Sequence, residues 1–480
     1  MVSGHMSKHK SRIFVASILL FAGIAGAADK PQPFTRADLA SANSLREKAL
    51  ADDTAYHLVE SLTTEAGPRP AGSPGDRAAV AWGLREMQRL GFSNVHAVPA
   101  TVPHWVRGDA SFAVVAPYPQ AMPVLAIGGS VGTGSEGIEA DAVMVKDLAA
   151  LAALPADAVK DKIVYFSNRM DRTRDGSGYG KAVAVRALGP SAAGALGALG
   201  VVIRSVSTSN NRLPHTGALR YAADRPRIPA LALSNPDADA LERQFATGKS
   251  VRLSLKSSSR DLPPAQSANI VGEIPGSELA REIVILGAHL DSWDPGVGAI
   301  DDGAGVAIVM GVANAIKQLG LKPRRTIRVL LFANEEFGTT GSKAYLESLG
   351  TDADSHVLGL EADFGAGPVW RLASRVDPAD LPAVDQIFRA LAPFKLVRGN
   401  NEGAGGADLE GLAKLGMPVL EPTLDGTLYF DTHHTANDTM AMVDPAALRQ
   451  SVAAYAVSAW LGAQYSGTWQ RVTTPKPPRR

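Results

Sequence analysis

The sequence predicts an α/β protein: a mixed, mostly parallel central sheet with helices on both faces, interrupted by an inserted β-rich domain. Three observations carry this. From Ala268 onward, apolar runs alternate with helical patterns. Strands are expected near Ala268–Glu273, Ile283–Gly287, Ile327–Phe332, Val357–Glu361 and Pro418–Thr423. Helices are expected near Ala304–Leu319, Ser342–Leu349, Leu381–Leu391, Asp408–Leu415 and Ala446–Leu461. Between Gly108 and Pro264 the chain instead reads as short β-like runs divided by Gly- and Pro-rich turns. Finally, the apolar runs Ile283–Leu286 and Ile327–Phe332 open onto His289, Asp291, Glu335 and Glu336, and open α/β sheets collect functional groups at such strand ends.

A chain of 480 residues allows two or three domains. Lys+Arg and Asp+Glu balance at 48 each, which gives no argument for nucleic acid or a charged membrane surface. With no cysteine, any metal must be held by His, Asp, Glu or backbone oxygen. At the N-terminus Lys8, Lys10 and Arg12 precede the apolar run Ile13–Ile24 and the small residues Ala25-Gly26-Ala27. That pattern predicts a signal peptide over residues 1–27, because the run falls short of the ~20 residues a membrane span needs. No later run reads as spanning, so an exported protein without stable membrane insertion is expected, either periplasmic or secreted.

Residues 28–107 read as the first part of the main domain. Arg36–Asp52 and Thr54–Thr64 have helical spacing, Gly67–Gly75 is a rigid loop, and Asp76 is the expected N-cap of a helix over Arg77–Leu90. A strand follows at about Val95–Val102. The insert, 108–265, holds β-like runs at Ser111–Ala116, Lys162–Ser167, Val201–Ile203, Ile228–Leu233 and Val251–Leu255, with helix around Ala182–Leu199. It ends in the polar linker Ser257–Pro264. Gly176–Lys181 fits neither a Walker loop nor a dinucleotide fingerprint and reads as a glycine turn. Gly194, Gly197 and Gly200 read as a close-packing helix face, and no titratable residues of the insert form a ligand-like cluster. Residues 266–470 complete the main domain, and 471–480 form a flexible tail.

The candidate chemistry lies at the strand ends. His289 and Asp291, two apart, can point the same way, so Asp291 can orient a metal-bound imidazole. An isolated pair of this kind is more often a surface hydrogen-bond pair. Asp302 suits an N-cap, while Asp301, one step out, could reach a metal and bridge two ions. Glu335 and Glu336 diverge from a strand end, so one would ligate and the other take a proton. Asp363 follows the buried run Val357–Glu361, and one of His433 and His434 would be a further ligand. Together these suit a two-metal hydrolase. No His-Glu-x-x-His helix, Gly-x-Ser-x-Gly elbow or thiol nucleophile competes with that reading.

His289-Leu-Asp291-Ser, Gly-Ala-Ile-Asp301-Asp-Gly-Ala-Gly, Asn-Glu335-Glu336, Glu-Ala-Asp363 and His434-Thr-Ala-Asn-Asp-Thr resemble the co-catalytic zinc exopeptidases, the group containing bacterial leucyl aminopeptidases and glutamate carboxypeptidase. HLDSWD, LGLKPRRTIRVLLFANEE and the NDTM and VDP segments carry a closer likeness to a dipeptide-cleaving carboxypeptidase branch. The resemblance implies two Zn2+ per chain, with Asp301 bridging, His289 and Asp363 on one ion, and Glu336 and His434 on the other. It makes Glu335 the general base and Asp291 the partner of His289. His434 is taken over His433 because Thr435 follows it directly, and His433 or Tyr429 becomes the contact to the transition state or substrate. It further implies a protease-associated insert, small peptide substrates with a free terminus, and a homodimer. An aminopeptidase acting on longer peptides and a single-zinc transferase of the glutaminyl-cyclase kind are the alternative activities. A non-catalytic binding protein would need eroded ligands, and all five ligand positions are intact.

Overall fold

The structure, a computed structural model, describes residues 1–6 and 32–472; the expected signal segment from Ser7 onward and most of the expected tail lie outside them. The strand Leu279–His289 is buried throughout its second half, and successive side chains there pack on opposite faces of the sheet. Val284, Leu286 and Ala288 pack into one core with Val306, Val309 and Tyr455, while Ile283 and Ile285 join Phe332, Tyr345 and Leu412 on the other face. The first face is covered by helices that include Ala304–Gln318 and Pro445–Gln464, the second by Thr340–Leu349 and Glu410–Lys414.

The main sheet has eight strands in the order Ser93–Val106, Arg260–Ile274, Arg325–Phe332, Leu279–His289, His356–Glu361, Val419–Leu424, Val369–Arg375, Val397–Arg398. Leu279–His289 pairs in parallel with both neighbours, His289 opposite Phe332 and Gly287 opposite Glu361. This register sets three carboxyl ends side by side, and the functional residues issue from them. Val369–Arg375 was not anticipated, because its Trp-Arg-Leu-Ala-Ser-Arg pattern lacks a continuous apolar run; it is antiparallel to Val419–Leu424.

A second eight-stranded sheet lies within residues 110–257. Its strands Ile163–Phe166, Gly200–Arg204 and Ala230–Leu233 are buried throughout, which explains their unbroken apolar runs. The chain leaves the main sheet at Val106 and returns opposite it at Arg260. The expected linker Ser257–Pro264 is therefore largely strand. Its polar, proline-containing sequence suits an exposed ribbon whose hydrogen bonds come from the partner strand.

Other expectations also needed correction. Helix Pro74–Arg89 is capped by Ser73, whose Oγ accepts from Asp76 N at 3.1 Å, with Pro74 in the first turn. Asp76 sits inside that turn and accepts from Gly72 N. Gly176, at φ +73°, leads into a short helix, Ser177–Ala182, where a glycine turn was expected. Gly194 lies in the helix Ala184–Ala195 but Gly200 begins a strand, so they share no helix face. Helix Asn235–Phe245 was missed although Ser234 and Pro236 form its start signal. Among the described residues one stretch, Ala299–Gln318, is long and apolar enough to span a membrane, with mean hydropathy 1.4, but it is fully buried in the core.

Candidate metal centre

Two imidazoles face the two oxygens of one carboxylate. His289, the last residue of its strand, places Nε2 3.2 Å from Asp301 Oδ1 and 3.6 Å from Asp363 Oδ1. His434 places Nε2 3.1 Å from Asp301 Oδ2 and 3.0 Å from Glu336 Oε2. The ring tautomers follow from the opposite nitrogens. His289 Nδ1 lies 3.0 Å from Asp291 O, and His434 Nδ1 lies 3.2 Å from Thr216 O. A carbonyl can only accept, so Nδ1 carries a proton in each ring and Nε2 is the atom left to meet the carboxylates or a metal.

An imidazole Nε2 facing a carboxylate oxygen at these distances needs either a proton or a metal cation between them. Asp301 Oδ2, Glu336 Oε1 and His433 Nδ1 are buried with no hydrogen-bond partner, an arrangement that is costly unless something else satisfies them. The electrostatics agree. Burial opposes charging His289, yet Asp363, Asp291 and Asp301 hold its pKa well above the ordinary value. Burial likewise works against the Asp301 carboxylate, but His289, His434 and His433 bring it well below the usual range. Hard oxygen and imidazole donors without sulfur suit zinc. The residues fit the metal.

Asp302 also has an oxygen close to His289 and Asp363. Its oxygens are already taken: Oδ2 accepts His289 N and Oδ1 accepts Gly305 N, both at 3.1 Å. The N-cap position itself is Gly303, so Asp302 stands one residue before the cap expected of it and serves the first turn through Gly305 N. Asp291 meets His289 Nδ1 chiefly through its main-chain oxygen, with its carboxylate 3.5 Å away. That carboxylate accepts from Glu335 N at 2.9 Å and Glu336 N at 3.3 Å, so it also sets the loop bearing both glutamates. Burial, then the neighbouring carboxylates Asp363, Glu336 and Asp291, push Glu335 well above the ordinary glutamate range despite the opposing influence of His289.

His433 stacks on His434 with ring centroids 3.5 Å apart and places Nε2 3.4 Å from Asp301 Oδ2. The Tyr429 ring lies 4.8 Å from that of His433. The structure thus gathers all nine residues singled out in the sequence. A cavity of about 210 Å³ opens beside Asp363, lined in part by Phe364, Arg371, Glu421 and Asp175 of the insert.

Several participants were missed. Trp293 donates to Glu336 Oε2 at 2.5 Å, and Asp438 accepts Ile300 N at 2.6 Å. Buried Arg69 donates to Leu290 O, Val297 O and Gly298 O, pinning the loop before Asp301. Asp408 is buried with Oδ1 unpartnered, and burial followed by Glu335 raises its pKa well above the usual range. His215 of the insert stacks on His434 at 5.1 Å, so a titratable residue of the insert does join a cluster. Arg186 Nη1 donates to His215 Nε2 at 2.7 Å, which leaves the proton on His215 Nδ1 for His433 O. Asp438 belongs to the quoted His434-to-Thr439 motif and Trp293 to HLDSWD, so both could have been found there. The others had no local signal.

Two histidines and several carboxylates gathered around one shared aspartate at the carboxyl edge of a parallel sheet define a metallohydrolase. Comparison with known proteins narrows the class. Residues 269–458 match the family model of peptidase family M28. The chain is 32% identical over 411 residues to carboxypeptidase Q of Bos taurus, covering 86% of this chain and 85% of that one. With human carboxypeptidase Q the identity is 30%. The chain belongs to peptidase family M28 and is a metallopeptidase related to carboxypeptidase Q. The structure of a peptidase M28 precursor from Shewanella amazonensis superposes with a TM-score of 0.89 at 42% identity, covering 92% of this chain and 99% of that one. A zinc aminopeptidase from Bacillus subtilis shares the fold with a TM-score of 0.62 at 20% identity, covering 86% and 95%.

Proposed function

We propose that this protein is an exported two-zinc exopeptidase that cleaves dipeptides or short peptides beside a free terminus. One observation carries the reading: the two oxygens of Asp301 face two different imidazole Nε2 atoms, each joined by a further carboxylate. In this reading His289, Asp301 and Asp363 hold one ion, and His434, Asp301 and Glu336 hold the other. Bound zinc supplies Lewis acidity, polarising the scissile carbonyl and acidifying the attacking water.

The chain's own residues do the rest. Glu335, raised by burial and by its carboxylate neighbours, accepts the water proton and returns it to the nitrogen of the departing amine. Asp291 fixes its main chain. His433, unpartnered at Nδ1, and Tyr429 behind it stand ready to contact the substrate. We read the second sheet as a protease-associated-like insert, and export follows from the Lys8–Ala27 pattern. A homodimer belongs to the same reading.

Metal analysis combined with a cleavage panel tests the proposal. Two zinc ions per chain and cleavage of free dipeptides over blocked dipeptides and aminoacyl-anilides support it. Preference for anilides and longer peptides would replace it with an aminopeptidase. One zinc with ammonia release from N-terminal glutamine would replace it with a cyclase.

A further inference from the structure

We propose that the insert positions one of the two metal-facing histidines: Arg172, Thr208 and the main chain of Thr216 clamp the segment 425–434 and so hold His434 for metal retention. This rests on the two-ion reading above.

The segment beyond Val419–Leu424 is held internally only by short-range turns, such as His433 N to Tyr429 O at 2.9 Å and Asp431 N to Leu428 O at 3.1 Å. It makes a single 3₁₀ turn at Tyr429–Asp431 and ends with His434 in the left-handed region at φ +59°. A non-glycine residue there is strained and persists only where its surroundings determine it. The insert provides much of that determination. Gly426 N donates to Arg174 O at 2.9 Å. Arg172 donates to Thr427 O at 2.5 Å and to both Asp431 oxygens, at 2.7 and 2.9 Å. Thr208 Oγ1 reaches Asp431 Oδ1 at 2.7 Å, and Ser207 Oγ reaches Phe430 O at 2.7 Å.

At the end of the segment the pairing becomes reciprocal. Thr216 N donates to His434 O at 3.0 Å, and His434 Nδ1 donates to Thr216 O at 3.2 Å. A backbone atom of the insert thus selects the tautomer that bares Nε2. No side chain larger than glycine fits next to it: a Cβ on Gly217 would lie 2.8 Å from His434 Nδ1 and closer still to Arg186. His289 differs, because its Nδ1 partner is Asp291 of its own loop and its strand is paired on both sides. The two metal positions therefore depend on different parts of the chain. The His289 imidazole is fixed by the main sheet, whereas the His434 imidazole leans on the insert.

The test follows zinc release from the zinc-loaded full-length protein into excess chelator, read with a metallochromic dye. The double variant Arg172→Met/Thr208→Val is expected to release one of its two ions about 10- to 100-fold faster and the other at the wild-type rate, the range known for lost outer-shell support. Thr208→Ser keeps the hydroxyl and should release at the wild-type rate. Arg169→Met, which breaks only a pair with Asp239 and Glu242 inside the insert, should do the same. Each single variant, Arg172→Met and Thr208→Val, is read alongside in case the double variant does not fold. Two ions leaving at wild-type rates from folded variants, or both accelerated equally, would overturn the clamp while leaving the two-ion reading intact. Wild-type protein holding fewer than two ions overturns that reading and the clamp with it.

Discussion

The carboxylate of Asp438 accepts the main-chain N–H of Asp301 at 3.1 Å, so a residue from the far end of the chain fixes the backbone of the shared aspartate. It also accepts Ile300 N at 2.6 Å. Asp438→Asn presents an amide donor to one of these buried N–H groups and leaves it unsatisfied. A loss of about 1–3 kcal/mol is expected, measured as a lower urea midpoint with unchanged slope.

Glu335→Gln removes the proton acceptor and keeps the side chain's shape. Zinc content should stay near wild type while turnover falls ~10²–10⁴-fold, as for loss of a general base. Wild-type turnover would remove Glu335 from that role.

Asp301→Ala takes away the carboxylate that both imidazoles face. Bound metal should fall measurably, well below wild-type content after dialysis. Two ions retained by metal analysis would contradict bridging.

His356 gives a stability effect away from the metal. It is buried beside the Tyr345 hydroxyl at 2.8 Å, and burial followed by Arg328 lowers its pKa to about 3 from the usual 6.5. The folded state keeps the ring neutral, whereas the unfolded chain takes a proton below pH 6.5. Its contribution is present above 6.5 and is lost as pH falls toward 3. His356→Phe should flatten the decline of the urea midpoint between pH 7 and pH 4. An unchanged slope would assign that decline to other groups.

Much of this site was legible because its chemistry follows strand ends. Buried parallel strands need unbroken apolar runs, and the polar residues after Ile283–Leu286, Ile327–Phe332 and Val357–Glu361 stand out against them. Thr216 gave no such signal, because it acts through a backbone atom that any residue could supply. Arg69 reads as an ordinary loop residue until tertiary packing gives it partners. The ribbon at Arg260–Ile274 was half hidden for a related reason: Pro263 and Pro264 signal a break by composition, while the pairing strand overrides it.

The opposition of Val106 and Arg260 has a consequence for how the chain folds. The second sheet is a long excursion that begins and ends at neighbouring points of one ribbon. The entropy of closing a loop grows only logarithmically with its length, and a collapsed loop brings its own ends together. If the second sheet forms first, the strands Ser93–Val106 and Arg260–Ile274 meet almost as a short hairpin would. The order of assembly, second sheet before ribbon, is thus favoured by topology. The main sheet gains its two outer antiparallel strands without a slow search across the intervening sequence.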